Sequence, residues 1–307
     1  MSTLDPTDWS SLRALGHQML DDMMDHLASI RTQPVWQKMP EDVRQGFTAP
    51  LPTTGTPPEA IYERFQADIQ PYVTGNLHPR FMGWVHGGGN PVSMLAELLA
   101  GAMNANCGGR DHVGIAVERQ VIAWAAQMLG MPAGTSGVLL TGSSMANFCA
   151  LLCARQKALG EAGHETGVSF SKLVAYASAG VHRCVTGAMD MAGLGRAALR
   201  KIPLDAQMRM DMAALRAAIA ADQAAGLTPF LIAATAGSVD TGAFDDLIEA
   251  RRIADAHGLW FHVDGAFGAL AALSPAKRHL VEGLGAADSI AFDSVSYTHL
   301  TLPTKRI

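Results

Sequence analysis

Apolar side chains at Leu12, Leu15, Met19, Met23, Leu27 and Ile30 recur at steps of three and four residues, which predicts an amphipathic helix over 8–30. Periodicity then fades. Between 33 and 58 the chain reads TQPVW and TAPLPTTGTPP, a proline-rich connector, and a short helix is expected over 58–69. A lone helix with an extended arm cannot close its own core, so residues 1–75 are expected to form an N-terminal helical arm that lies on the main domain or contacts a second copy of the chain, the second being preferred.

From residue 76 to 294 the pattern alternates. Helical stretches at 92–105 and 114–129 give way to short apolar runs at 137–141, 173–178, 199–202, 230–235, 259–264 and 289–292, with helices predicted at 145–159, 212–225 and 245–257 between them. Short apolar strands linked by helices predict an α/β fold with a mainly parallel sheet covered by helices on both faces. In such a fold ligands sit beyond the carboxyl ends of the strands. No repeat of 20 to 50 residues is visible, which argues against a solenoid.

Composition narrows the picture. At 307 residues, 49% hydrophobic and 17% charged, the chain can bury a full core. A formal charge of −5 without basic runs gives no reason to expect nucleic acid or an anionic membrane as partner, and a neutral or zwitterionic small molecule fits better. Cys107, Cys149, Cys153 and Cys184 show no CxxC spacing, so neither a metal site nor disulfides are expected; Cys149 and Cys153, one helical turn apart, read as reduced core thiols. The polar, acidic N-terminus has no signal-peptide pattern and no apolar run spans a membrane, so a cytoplasmic protein is expected.

Four segments carry candidate chemistry. In TGSSMAN (141–147) a strand-like run enters small hydroxyl residues at the start of a helix, where free amides with the Ser143 and Ser144 hydroxyls could take a phosphate; an ordinary serine cap explains the same residues, and GxxxxGK[ST] is absent. In FHVDGAFGA (261–269) Asp264 ends a strongly apolar strand. It either caps locally or holds a pyridine nitrogen protonated, with Ala266 leaving room for a flat ring. His182, in YASAGVHRCV, is a structural histidine or an imidazole at the mouth of the same sheet. Ser238, in ATAGSVDTGAFDDL, could supply a further donor.

In this order the motifs resemble those of the group II pyridoxal-phosphate-dependent amino-acid decarboxylases, which include the aromatic amino-acid and glutamate decarboxylases, over about residues 8 to 293. LHPRFMGWVHG and NANCGGRDHVGIAVERQVIAWAAQMLG look like the family's substrate-pocket stretch and the helix after it. The resemblance implies a type I, aspartate-aminotransferase-like fold, pyridoxal 5'-phosphate as cofactor, an amino-acid substrate and a homodimer. It also implies that Ser143 and Ser144 bind phosphate, His182 stacks on the ring, Ser238 lies near it, Asp264 pairs with the ring nitrogen and Ala266 packs under it. Met145 stands where the family usually has an acidic residue, and Val239 where threonine is common. Trp84, Val85 and His86 occupy the substrate-pocket position where the aromatic enzymes share two aromatics and a proline; an aromatic L-amino acid is the expected substrate.

The family pattern after ADSIAFD continues to a lysine that forms a Schiff base with the cofactor, and Ser296 falls in that place. From Val295 onward the chain departs from the family, and VSYTHLTLPT resembles a translated sequencing adapter. Residues 295–307 are therefore expected to be a non-native tail, the family's small C-terminal domain to be missing and this chain to be inactive. Lys305, nine positions further on, lacks the setting of a nucleophilic amine. Two other readings stay open: another enzyme of this fold, such as an aminotransferase or carbon–sulfur lyase, or a non-catalytic binding protein of the same fold. A dinucleotide-binding oxidoreductase is disfavoured, because no GxGxxG follows a strand.

Overall fold

Strand β1 (Leu173–Ser178) is buried at all six positions, as expected of a strand covered on both faces. It belongs to a parallel five-stranded sheet with β2 (Leu199–Ile202), β3 (Thr228–Thr235), β4 (Trp260–Asp264) and β5 (Ser289–Ala291), in the order β2-β1-β3-β4-β5. The computed structural model describes residues 5–83, 87–105, 111–168 and 171–293.

The chain divides into two compact units, one reaching to Asn104 and the other Ala105–Ser294. The first carries α1 (Trp9–Ser29), α2 (Glu41–Gly46), α3 (Pro58–Arg64) and α4 (Pro91–Met103). Asp8 caps α1 by accepting from Ser10 N at 2.9 Å, and these serine contacts hold its carboxyl down at about 2. Asp22 of α1 accepts from Tyr62 Oη at 2.8 Å and Gln66 Nε2 at 3.0 Å, which ties α1 to the region of α3. The connector expected over 33–58 contains the short helix α2, started by a proline just before it and by Glu41 and Asp42 in its first turn.

The second unit adds α5 (Val113–Met128), α6 (Ser143–Leu159), α7 (Glu161–Thr166), α8 (Arg183–Met191), α9 (Met212–Ala224) and α10 (Leu247–His257). Strand alternation sorts them into two layers. Val174, Tyr176, Ile232, Phe261 and Val263 pack with Leu215 and Ile219 of α9 and Ile253 of α10, whereas Ala175, Ala177, Leu231 and Ala233 pack with Leu151 of α6 and Val185 and Met189 of α8. After β2 the chain reverses direction across the sheet, so β1 and β3 flank a topological switch point, the usual place for a ligand crevice.

The expected strand at 137–141 is not formed. Val138 and Leu139 are exposed, no strand pairs with them among the described residues, and Leu139 N donates instead to Glu118 Oε1 at 3.2 Å. The helix expected from 245 begins at Leu247, with Asp246 as its cap accepting from Glu249 N at 3.0 Å. Cys153 is exposed rather than a core thiol; Cys149 and Cys184 are half-buried and free. Among the described residues no helix is long and apolar enough to cross a membrane.

Candidate functional site

The turn into α6 depends on Gly142. Its φ of 93° lies where a side chain would be strained, and it lets the chain swing directly into the helix. Met145 N and Ala146 N fold back onto Gly142 O at 3.1 and 3.2 Å, while the amides of Ser143 and Ser144, at the first two positions, have no acceptor within the helix. Ser143 is half-buried and Ser144 exposed. Two N–H groups, two hydroxyls and the positive end of the helix dipole thus meet at one point.

Asp264 ends β4 on the face that looks toward α6 and α8, the face opposite Val263. It is 5% exposed, and among the described residues its side-chain hydrogen bond is a long one, from Ala266 N at 3.3 Å. Position 268 is constrained to glycine by packing: a Cβ there would lie 2.5 Å from Ala236 O and 2.6 Å from the Phe244 ring, so this loop lies directly against the end of β3.

His182 caps α8, its Nδ1 accepting from Cys184 N at 3.3 Å, and the residue is exposed. Cys184 joins the three elements. Its thiol contacts Asn147 Nδ2 at 3.6 Å and the Ser144 side chain, and burial, with the neighbouring negative charge of Asp264, pushes it up to about 11. The start of α6, the cap of α8 and the end of β4 therefore converge, bringing Ser143, Ser144, His182 and Asp264 to one corner of the sheet.

Ser238 stands outside these contacts. Its hydroxyl lies 2.7 Å from Thr241 Oγ1 and accepts from Thr241 N at 3.2 Å, closing the turn after β3. It lines a cavity of about 90 Å³ at the switch point, together with Ser178, Gly180, Thr235 and Asp245. Asp245 is a lock: its two oxygens accept from Met210 N at 2.7 Å and Thr235 N at 2.8 Å, and burial raises its carboxyl above the ordinary value. Ala266 is half-buried beside Asp264. Trp84, Val85, His86, Ser296 and Lys305 lie outside the described residues.

Sequence reasoning does not reach Asp245, Asn147 or His262, and for Cys184 it expects only that the residue joins neither a metal site nor a disulfide. His262 is 2% exposed, two residues before Asp264 on the same face. Its Nε2 lies 2.7 Å from Asn147 Oδ1 and its Nδ1 2.9 Å from Ser289 Oγ. The available signal is a polar residue at an inward position of an otherwise apolar strand.

The donor set fits pyridoxal phosphate. Anion-binding amides and hydroxyls at a helix start, a buried carboxylate lightly engaged by its own chain and an exposed imidazole at the rim are the groups that a phosphorylated pyridine requires.

The family pattern described as "Pyridoxal-dependent decarboxylase conserved domain" matches residues 40–302. The chain is 35% identical over 307 aligned positions to an aromatic-L-amino-acid decarboxylase of Bos taurus, covering 92% of this chain and 61% of that protein. It is 30% identical over 290 positions to the enzyme of that name from Bacillus atrophaeus, covering 92% and 58%. Among solved structures, Oryza sativa TDC with PLP superposes with a TM-score of 0.85 at 27% identity, over 96% of this chain and 66% of that one. The chain spans about three-fifths of the length of the curated relatives it matches.

Proposed function

Because the chain belongs to the pyridoxal-dependent decarboxylase family, we propose that the corner formed by α6, α8 and β4 is a pyridoxal-phosphate pocket serving the decarboxylation of an L-amino acid to its amine and carbon dioxide. The observation that carries this reading is Asp264, a buried carboxylate at a strand end facing the open start of α6.

In this pocket the Ser143 and Ser144 amides and hydroxyls hold the phosphate, and the helix dipole adds attraction without a lysine. Asp264 faces the ring nitrogen and keeps a proton on it, a role that burial strengthens because little water screens the charge. His182 covers the outer face of the ring, Ala266 leaves space beneath it, and Ser238 borders the pocket through the turn after β3. Bound there, the cofactor supplies an electron sink for the pair released as the carboxylate departs, so interactions that grow with that charge lower the barrier.

An aromatic amino acid is the substrate favoured by the relatives' names, with Trp84, Val85 and His86 in its pocket. A second copy of the chain is the proposed partner of the arm over residues 1–75, and residues 76–294 form the proposed cofactor-binding domain. In the first unit Leu12 and Met19 are exposed on α1, as are Val92, Leu98 and Leu99 on α4, which is apolar area suited to an interface. Free thiols at Cys149, Cys153 and Cys184 agree with a cytoplasmic setting. With Ser296 in the lysine position, and residues 295–307 read as a foreign tail, this chain is proposed to be inactive.

Mixing the purified chain with pyridoxal phosphate, reducing with borohydride and mapping the modified peptides tests the reading, alongside carbon dioxide release from tryptophan, tyrosine and dopa. Reversible binding lost in Asp264→Ala, without a specific label and without gas release, is the expected result. A label on Lys305 or any turnover refutes the inactivity, and unchanged binding in Asp264→Ala refutes the role given to that carboxylate.

A further inference from the structure

A chain of hydrogen bonds runs from β5 through β4 into the first turn of α6, and its Asn147 end sets a direction. The Ser143 carbonyl can only accept, so the Asn147 amide nitrogen, 3.0 Å away, must face it. Asn147 Oδ1 is then the atom 2.7 Å from His262 Nε2, which must carry the proton of that bond. At the other end, Trp260 Nε1 can only donate, and it does so to Ser289 Oγ at 2.8 Å. His262 Nδ1 lies 2.9 Å from the Ser289 hydroxyl, which can donate to it, and 3.2 Å from the Ser289 carbonyl, which can only accept; with the one proton of a neutral ring held on Nε2 by Asn147, Nδ1 takes the hydroxyl proton.

The Asn147 end therefore fixes a proton on Nε2, and the neutrality of the ring sets the direction at Ser289. The ring is neutral because burial pushes His262 down to about 4, against the opposing pull of Asp264 and of the Ser289 carbonyl. Asp264 is the charged group that faces it, and the Cys184 thiol stands across the same contact with Asn147.

We infer that His262 is a positioning residue, which ties the turn bearing Ser143 and Ser144 to the strand bearing Asp264 and does so as the neutral tautomer with its proton on Nε2. The inference rests on the pocket proposed above. It deepens that proposal by fixing what holds the phosphate end and the nitrogen end at a constant separation. A neutral imidazole also adds no positive charge beside Asp264, which leaves that carboxylate free of an ion pair from this side.

The test compares pyridoxamine 5'-phosphate with pyridoxamine, neither of which has an aldehyde to react with surface lysines, by equilibrium binding to the full chain. The wild-type protein is expected to prefer the phosphorylated compound. In His262→Phe this preference should fall about tenfold, the effect of losing one oriented buried hydrogen bond, whereas His262→Gln, whose amide reaches Asn147, should keep most of it. A residue that merely fills the core would lower stability without changing the ratio. If His262→Phe does not fold, His262→Asn takes its place, since its shorter amide retains the Ser289 side and cannot reach Asn147.

Long-range proton–nitrogen NMR of the wild-type ring reads the tautomer without any ligand. A proton on Nε2 and a reduced ratio support the inference, and a proton on Nδ1 overturns it. A wild-type preference that survives in the variants removes His262 from the mechanism while leaving the pocket intact. No preference in the wild type sinks the pocket and this inference with it.

Discussion

Asp245 and Asp246 are neighbours in sequence with unequal structural burdens. In Asp245→Ala, Met210 N and Thr235 N both lose their acceptor in a place that is 6% exposed. Each orphaned buried donor costs roughly 1–3 kcal/mol, so about 4 kcal/mol is expected in total. For a unit of this size that lowers the melting temperature by roughly 8–16 °C. Asp246→Ala removes one exposed cap bond to Glu249 N, about 1 kcal/mol and roughly 2–4 °C. Asp245→Asn retains one acceptor and should fall between. Because burial raises the Asp245 carboxyl, the stability linked to its protonation is complete below the ordinary value of 3.8 and is lost as pH rises through the folded-state value. The gap between wild type and Asp245→Asn should therefore be widest below pH 3.8 and narrow toward neutrality. Urea denaturation of the three variants at several pH values measures both effects, and an Asp245→Ala loss no larger than that of Asp246→Ala would refute the argument.

Acid should act through His262. Its folded value near 4 lies below 6.5, so the unfolded chain binds the extra proton between these values and stability falls by about 3 kcal/mol as pH drops across that window. His262→Gln should flatten this part of the urea-midpoint profile. At pH 8 iodoacetamide should modify Cys153 well before Cys184, whose thiol is raised to about 11, and equal labelling rates by peptide mass spectrometry would contradict that value. Tyr176→Phe removes a 2.9 Å bond to Asp222 while Arg200 still engages both carboxylate oxygens, so a loss of about 1.5 kcal/mol is expected from denaturation curves, less than for Asp222→Ala.

The sheet is legible from sequence where burial is two-sided. LVAYAS, FLIAAT and FHVD read as continuous apolar runs because helices cover both faces, and their boundaries hold to within two residues. GVLLT at 137–141 has the same appearance yet pairs with no strand among the described residues, since an apolar run shows hydrophobicity but not the backbone that would join it. Local motifs expose residues that act beside their neighbours in sequence, such as Ser143 and Ser144 at the start of α6 or Asp264 at the end of β4. Partnerships across the fold leave no such trace. His262 meets Asn147 over a separation of 115 positions, and Asp245 meets Met210 over 35. Only a polar letter inside an apolar strand hints that such a partner exists.

The alternation along β4 restricts how this region can change during evolution. His262 and Asp264 look toward α6 and α8, while Phe261 and Val263 look toward α9 and α10. Gain or loss of a single residue within Trp260–Asp264 would exchange the two sets, driving a carboxylate and an imidazole into the apolar layer and turning a phenyl ring and an isopropyl group toward the start of α6. Length variation among descendants should therefore collect in the loops before Trp260 and after Asp264. Within the strand it is tolerable only as paired insertions or deletions, so parity here is inherited as strictly as the identity of any one side chain.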